Sequence, residues 1–398
     1  MKRVVVGAAS IVALTMATGT VRAQEVPSAP IDEVANEGAV EDIVVTAQKR
    51  EQSLLDTPLA ISAFGEAALE RLQVRDVAGL AAIAPGLQGA AVSSGQPLIS
   101  IRGIGSNDFS VGNDPAVGIF IDEVYAGRSA GALTNLFDVA RVEVVRGPQG
   151  TLFGRNTTAG AIAIVRNAPS DSFEGSGALT AANREEVIAE GVISGPLASG
   201  VSLRAGAYYR QRDGLIEQVP SGKKLGEIES FTGRLAARIE PVQGMRFDLG
   251  FDYQRDRSSS AIYQSRSYNG ATAGLGFYQS TTNLSVDELR NDRDIYLGSL
   301  KTTFDLGDIT LTSISAYRTY RFGYKEDTDG GPANLLAFSI DEEQDAWSQE
   351  LRLNYTSDRL DLFVGASYFS EKLDQTTRAN YNEEDVCGAV ARGSVGTT

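Results

Sequence analysis

Three groups of residues in this sequence could carry chemistry by type and spacing. Glu326-Asp327-Thr328-Asp329-Gly330 sets three carboxylates beside a glycine, a spacing able to hold a divalent ion or to form a plain solvated loop, the preferred reading. Arg102, Arg141 and Arg146 stand beside strand-forming apolar residues, where guanidinium groups pair with carboxylates. Glu41-Asp42-Ile43-Val44-Val45-Thr46-Ala47 is a β-prone heptad ahead of a charged stretch, Gln48-Lys49-Arg50-Glu51. It suits donation of a strand to another protein's sheet edge, or equally a first strand of the following domain. What is missing is as informative. There is no histidine, which removes imidazole bases, Ser-His-Asp triads and histidine metal sites. Cys387 is the single cysteine, so no internal disulfide and no four-cysteine zinc site can form. No metal site, cofactor or catalytic residue is expected.

The elements that position these residues come next. Of 398 residues, 36 are Lys or Arg and 51 are Asp or Glu, a net charge of −15 that argues against nucleic acid as a partner. Lys2 and Arg3 precede an apolar run from Val4 to Ala17, and Val21-Arg22-Ala23 resembles a small-x-small cleavage site. Residues 1–23 therefore read as an export signal, and 24–40, rich in Pro, Ala and acid, as a disordered leader. Beyond the signal no apolar run reaches the ~18 residues of a membrane-spanning helix.

Residues 48–169 read as a compact α+β domain. Gly65 to Leu72 predicts a short helix, and Arg75 to Ala84 a second one stopped by Pro85-Gly86. Leu98 to Arg102, Val117 to Ile121, Val124-Tyr125, Arg141 to Arg146 and Ala161 to Val165 predict strands. Gly103, Gly105, Gly147, Gly150 and Gly154 fit tight turns, and Gly103 to Asn113 is the best stretch for an apical loop near a ligand.

From Ser172 onward the texture changes to alternating segments of about ten residues. Val201-Leu203-Ala205-Ala207-Tyr209, Phe231-Gly233-Leu235-Ala237-Ile239, Leu249-Phe251-Tyr253, Trp347-Leu351-Leu353-Tyr355 and Leu360-Leu362-Val364-Ala366-Tyr368 form apolar faces. Arg204, Arg234, Arg238, Asp248, Asp252, Glu350, Arg352 and Asp361 lie opposite them. Short links such as Gly195 to Gly200 alternate with long polar ones such as Arg257 to Arg290. Period-two alternation with aromatics near segment ends predicts an antiparallel transmembrane β-barrel; a soluble β-sandwich with one wet face is the alternative.

Here the residues resemble a known family, the TonB-dependent outer-membrane receptors of Gram-negative bacteria. Glu41 to Ala47 (EDIVVTA) looks like the TonB box, and Ile101-Arg102-Gly103 like the family's IRG motif. VGIFIDEVY, Val117 to Tyr125, resembles its V-x-x-x-I-D-G-V strand and turn, and SQELRL, Ser348 to Leu353, resembles a barrel segment. Val139 to Pro169 is similar to R-I-E-V-x-x-G-P-x-x-x-L-Y-G-x-x-A-x-G-G-x-I-N-I-V, through Arg141, Glu143, Arg146, Gly147, Pro148, Leu152, Gly154 and Gly160. Glu123 departs from the usual glycine, Thr158-Ala159-Gly160 from the small-Gly-Gly step, and Ala163 from the usual Asn.

The resemblance implies a plug domain followed by the barrel, with 22 strands in the complete protein. It implies energised uptake of a scarce ligand, a ferric siderophore by default, with oligosaccharide, cobalamin or another metal complex as alternatives. TonB and outer-membrane lipid would be partners, and plug arginines would face barrel carboxylates such as Glu350. A passive porin explains neither box nor plug, and a signal-transducing receptor needs a folded domain before the box.

About nine strands are countable between Ser172 and Ser370. At ~1 Å of radius per strand they would enclose a ~9 Å radius, too small for a plug of ~18 Å outer radius. Residues 172–398 are therefore expected to be the N-terminal part of a barrel, and the chain part of a longer receptor.

Overall fold

The computed structural model describes residues 44–391 apart from 47–48, 51, 94–95, 107–113, 129–130, 132–134, 220, 264–280, 283, 287 and 358. The export signal, the leader, Glu41, Asp42, Ile43, Ala47 and most of the apical loop lie outside the described residues.

The chain opens with a short antiparallel pair, β1 (Val44–Val45) and β2 (Gln52–Ser53). β3 (Ile61–Gly65) leads into helix α1 (Glu66–Arg71), with Gly65 at its N-cap, Glu66 in the first turn and Arg71 in the last, as the helix dipole favours. β4 (Leu87–Ser93), β5 (Gln96–Ile101) and β6 (Ile104–Gly105) form a three-stranded sheet. β7 (Val117–Ile121), β8 (Val124–Tyr125), β9 (Val139–Arg146) and β10 (Gly160–Arg166) join β3 in a five-stranded sheet ordered β3-β9-β10-β7-β8. A one-turn helix, α2 (Gly150–Phe153), links β9 to β10. Every residue of β7 is buried, and Val142, Val144, Ile162 and Ile164 complete the core.

Two sequence expectations need correction here. Residues 75–84 form no α-helix; only a 3-10 turn, Gly79–Ala82, appears. Asp76 caps the Gly79 N–H at 2.7 Å and bridges to Asn135, while Val77 and Leu80 are anchored in the core, so the segment is pinned as a turn. The strand expected to reach Arg102 stops at Ile101, because Arg102 has φ 53 and Gly103 φ 78 in the β5–β6 turn.

The remaining sheet is antiparallel and nine-stranded. Its strands are β11 (Glu174–Ala182), β12 (Glu186–Ala198), β13 (Val201–Arg212), β16 (Ile228–Val242), β17 (Met245–Ser258), β19 (Arg290–Asp305), β20 (Ile309–Asp327), β21 (Ala337–Thr356) and β22 (Asp361–Asn380), paired in that order. Between them β14 (Ile216–Gln218), β15 (Lys223–Leu225) and β18 (Thr281–Thr282) make a small sheet within the long connections. Helix α3 (Glu383–Ala391) follows β22, so Val386 to Ala391 are helical.

Alternation is strict where the plug is close. On β20, Thr312, Ile314, Ala316, Arg318, Tyr320, Phe322 and Tyr324 are buried, while Leu311, Tyr317 and Arg321 face out. The outward rings of Tyr253 and Tyr296 stack with centroids 4.8 Å apart, and Trp347 lies 5.5 Å from Tyr368. Trp347 and outward Tyr355 are separated on β21 by ~27 Å, or ~21 Å along the normal at a ~40° tilt, close to the height of an apolar membrane band. Among the described residues no helix is long and apolar enough to cross a membrane.

Tight turns alternate with long connections. Gly200, Gly244 and Gly307 carry φ of 69, 77 and 84 at one end of the sheet. The link expected over Gly195 to Gly200 is shorter still, because Gly195 to Ala198 belong to β12, with a register shift at Pro196/Ala198 absorbing the proline.

Candidate functional site

The β-prone heptad is docked where it is described. Val44 and Val45 pair with Ser53 and Gln52, and Val45 is only 1% exposed. The Thr46 N–H donates to Glu143 Oε1 at 2.9 Å and Oε2 at 3.1 Å, and its hydroxyl reaches the same carboxylate at 3.1 Å. Arg141 Nε donates to Glu143 at 2.8 Å, and its Nη2 to Thr46 Oγ1 at 3.4 Å. Thr46 thus joins Arg141, 95 residues on, around the fully buried Glu143 carboxylate.

Lys49 continues the docking. Its Nζ lies 3.5 Å from Glu350 on β21 and 5.0 Å from the Phe153 ring centre. Burial lowers its pKa, with Arg352 adding to the effect and Glu350 and Glu123 opposing it. Arg50, by contrast, meets Asp361 at 3.1 Å in the open.

The implied role of three plug arginines is not observed. Arg146 donates to Ser62 Oγ at 2.7 Å and to the carbonyls of Ile61 and Pro85, all within the plug. Arg141 serves Glu143, and Arg102 is exposed on its left-handed turn. None of the three faces a barrel carboxylate. Arg141 and Arg146 sit on β9 within the plug's five-stranded sheet, so their nearest acceptors are internal.

Other residues make the plug–barrel contact, often with the opposite polarity. Asp138 accepts from Arg204 at 2.6 Å and Arg234 at 2.5 Å. Glu123 accepts from Lys301 at 2.7 Å and from Arg352, which also meets Glu350 at 2.5 Å. Arg166 bridges Asp122 at 2.9 Å and Asp252. Arg128 and Arg155 both reach Glu371 at 3.3 Å. Burial works against the Glu123 carboxylate, but Lys301, Arg352 and Lys49 outweigh it and hold its pKa at about 2. Sequence reasoning marked Glu123 only as a departure and passed over Asp122, Asp138, Arg166 and Lys301. The available signal was the set of opposite-face charges, Arg204, Arg234, Asp252 and Arg352, which needed partners from inside.

Glycine permits further close approach. A Cβ on Gly131 would lie 2.7 Å from Arg318 Nη2 and from Tyr320 Cδ1. Gly147 and Gly154 have positive φ at turns, whereas Gly150 begins α2, Gly105 avoids a Cβ contact of 2.6 Å with Ser100, and Gly160 opens β10 where a Cβ would lie 2.3 Å from the Val145 carbonyl oxygen. Pro148 lies in the turn after β9, and Leu152 on α2 lines a gap described below. The acidic loop is structural. Asp327 accepts from Ser285 N and Oγ and from Gly330 N, and Asp329 from the N–H groups of Gly331, Leu335 and Leu336. Among the described residues no cluster of carboxylates or cysteine fits a metal.

A gap of about 1020 Å³ opens between the heptad-proximal segment and the tight-turn ends of β16–β22. Lys49, Arg50, Arg246, Lys301 and Arg352 line it together with Glu123, Glu240, Asp305 and Asp361. A plug held by ion pairs borders this gap, with a β-prone segment at its margin. Residues 53–161 match the TonB-dependent receptor plug domain. That stretch is the plug domain of the TonB-dependent receptors.

This is an outer-membrane receptor family of Gram-negative bacteria, and its members are not enzymes. The iron-regulated outer membrane virulence protein of Vibrio cholerae is 26% identical over 268 residues, 64% of this chain and 40% of that protein. The pesticin receptor of Yersinia enterocolitica is 31% identical over 161 residues, 40% of this chain and 23% of that protein. The ferric yersiniabactin uptake receptor of Yersinia pestis superposes with a TM-score of 0.68 at 22% identity, covering 81% of this chain and 50% of that one. The ferripyoverdine receptor of Pseudomonas aeruginosa gives 0.69 at 16% identity, covering 84% and 45%. The chain thus spans half or less of the length of each of these TonB-dependent relatives.

Proposed function

We propose that this chain supplies the plug and adjoining barrel wall of an energised importer of ferric siderophores, with TonB engaging residues 41–47. The observation that carries the reading is the seating of Val44, Val45 and Thr46 on the plug's own motif residues, Arg141 and Glu143. A pull on that segment acts directly on the sheet that fills the passage. The uptake receptors for ferric yersiniabactin and ferripyoverdine among its structural relatives support iron chelates as the ligand class over oligosaccharide or cobalamin. A passive porin is disfavoured because Leu297, Ile314 and Ala316 of the barrel pack into the plug core.

The test is Val44→Pro in the receptor. Proline restricts the backbone and removes a donor, so the strand is lost as a partner for a second sheet edge. Binding of a ferric siderophore is expected to survive while energised uptake of the radioiron complex disappears. Unchanged uptake would overturn the assignment of the box.

A further inference from the structure

Nine described residues other than glycine have left-handed backbones, and four of them are charged plug residues within the ion networks that join plug to barrel: Lys49 (φ 61), Asp122 (φ 45), Glu123 (φ 71) and Asp138 (φ 55). A left-handed residue with a Cβ is strained, and such strain persists only where its surroundings over-determine it. The Asp122-Glu123 turn between β7 and β8 is a place where glycine would sit without strain. Instead it carries two carboxylates that reach different partners, Asp122 going to Arg166 and Glu123 to Lys301 and Arg352. Lys49 is strained in the same way, within a turn closed by its N–H to Thr46 O at 2.9 Å.

These two strained residues meet in one network. Lys49 touches Glu350, Glu350 touches Arg352, and Arg352 touches Glu123, which also holds Lys301. We propose that Lys49 and Glu123 form a latch, positioning residues that tie the box-proximal segment and the plug's central turn to the same barrel wall, so that releasing one loosens the other. The proposal rests on the reading of residues 41–47 as the pulled segment, but its mechanics concern only this chain's own contacts.

Hydrogen exchange of the full chain in detergent tests the latch without reference to transport. Glu123→Gln keeps the strained backbone and removes the charge; Glu123→Gly removes both. If the latch operates, both variants speed amide exchange in residues 44–50 by about ten-fold, although position 123 lies far away in sequence. If Glu123 were only a strained turn residue, Glu123→Gly would slow exchange around the turn and Glu123→Gln would leave 44–50 unchanged. Either result overturns the proposal. Lys301→Gln, on the barrel wall, guards against a folding defect at the turn: it should loosen 44–50 in the same direction, and unchanged exchange there also overturns the latch. A failed Val44→Pro uptake test would leave these exchange outcomes untouched.

Discussion

The plug meets two walls of the barrel, and it meets them differently. Against β13 and β16 the ion pairs are nearly fully buried. The Asp138 side chain is 1% exposed between Arg204 and Arg234 at 9% and 7%, at the edge of a cavity of about 330 Å³ that Asp138 and Arg204 both line. Against β19–β22 at the tight-turn end, Lys49, Arg50 and Glu123 border the gap of about 1020 Å³. Charges without water interact strongly but cannot lose a partner cheaply; charges beside water are screened and exchange partners readily. The contrast is one of burial: the Asp138 cluster is nearly fully buried throughout, whereas the wet wall beside the gap runs from buried Lys49 and Arg352 to exposed Arg50 and Asp361.

The largest effect should come from breaking the buried Asp138 cluster. Asp138→Asn leaves two buried guanidinium groups facing a neutral amide, and breaking a buried pair in this way costs about 3–5 kcal/mol. Pulse proteolysis across a urea series should show the plug released at much lower urea while the barrel strands stay resistant. A midpoint shift no larger than that of a wet-wall substitution would erase the distinction between the walls.

A second, smaller effect sharpens the comparison through pH. Glu123 has a folded pKa of about 2 against the usual 4.5. Because the folded value is depressed, its contribution is complete above about pH 4.5 and is lost as the pH falls towards 2. That difference corresponds to at most roughly 3 kcal/mol, reduced by any water admitted from the gap. The stability gap between the wild-type chain and Glu123→Gln should therefore be flat from pH 7 to 5 and close between about pH 4.5 and 2. A gap that instead closed between pH 8 and 6 would point to a group other than this carboxylate.

The architecture was largely legible because half-buried strands write their two faces into the sequence. From Thr312 to Tyr324 of β20 the even-numbered residues are buried and the odd-numbered ones more exposed, as alternation alone dictates. The ion pairs were less legible, for two physical reasons. Arg141 and Arg146 sit on strands whose neighbours within the plug offer Glu143, Ser62 and carbonyl oxygens, so they never reach the barrel. The residues that do reach it, Glu123 and Asp138, occupy left-handed positions where sequence reasoning expects glycine or asparagine. The segment 75–84 has helical spacing, but Asp76 spends its carboxylate on the Gly79 N–H and the chain tightens into a 3-10 turn.

The smallest effect belongs to the most exposed contact on the wet wall. Arg50 and Asp361 lie 3.1 Å apart with side chains 44% and 54% exposed. An ion pair in that setting loses side-chain freedom, gains little Coulomb energy in water and is worth about 0–1 kcal/mol. Arg50→Gln should leave the urea midpoint for plug release within error of the wild-type chain, and 0.5 M salt should remove any residual difference, since the screening length is then only ~4 Å. Asp138→Asn should retain most of its effect at the same salt, because buried charges are screened far less than exposed ones. If Arg50→Gln released the plug as readily as Asp138→Asn, the wet wall would be the anchor, and the order of release argued from burial would have to be reversed.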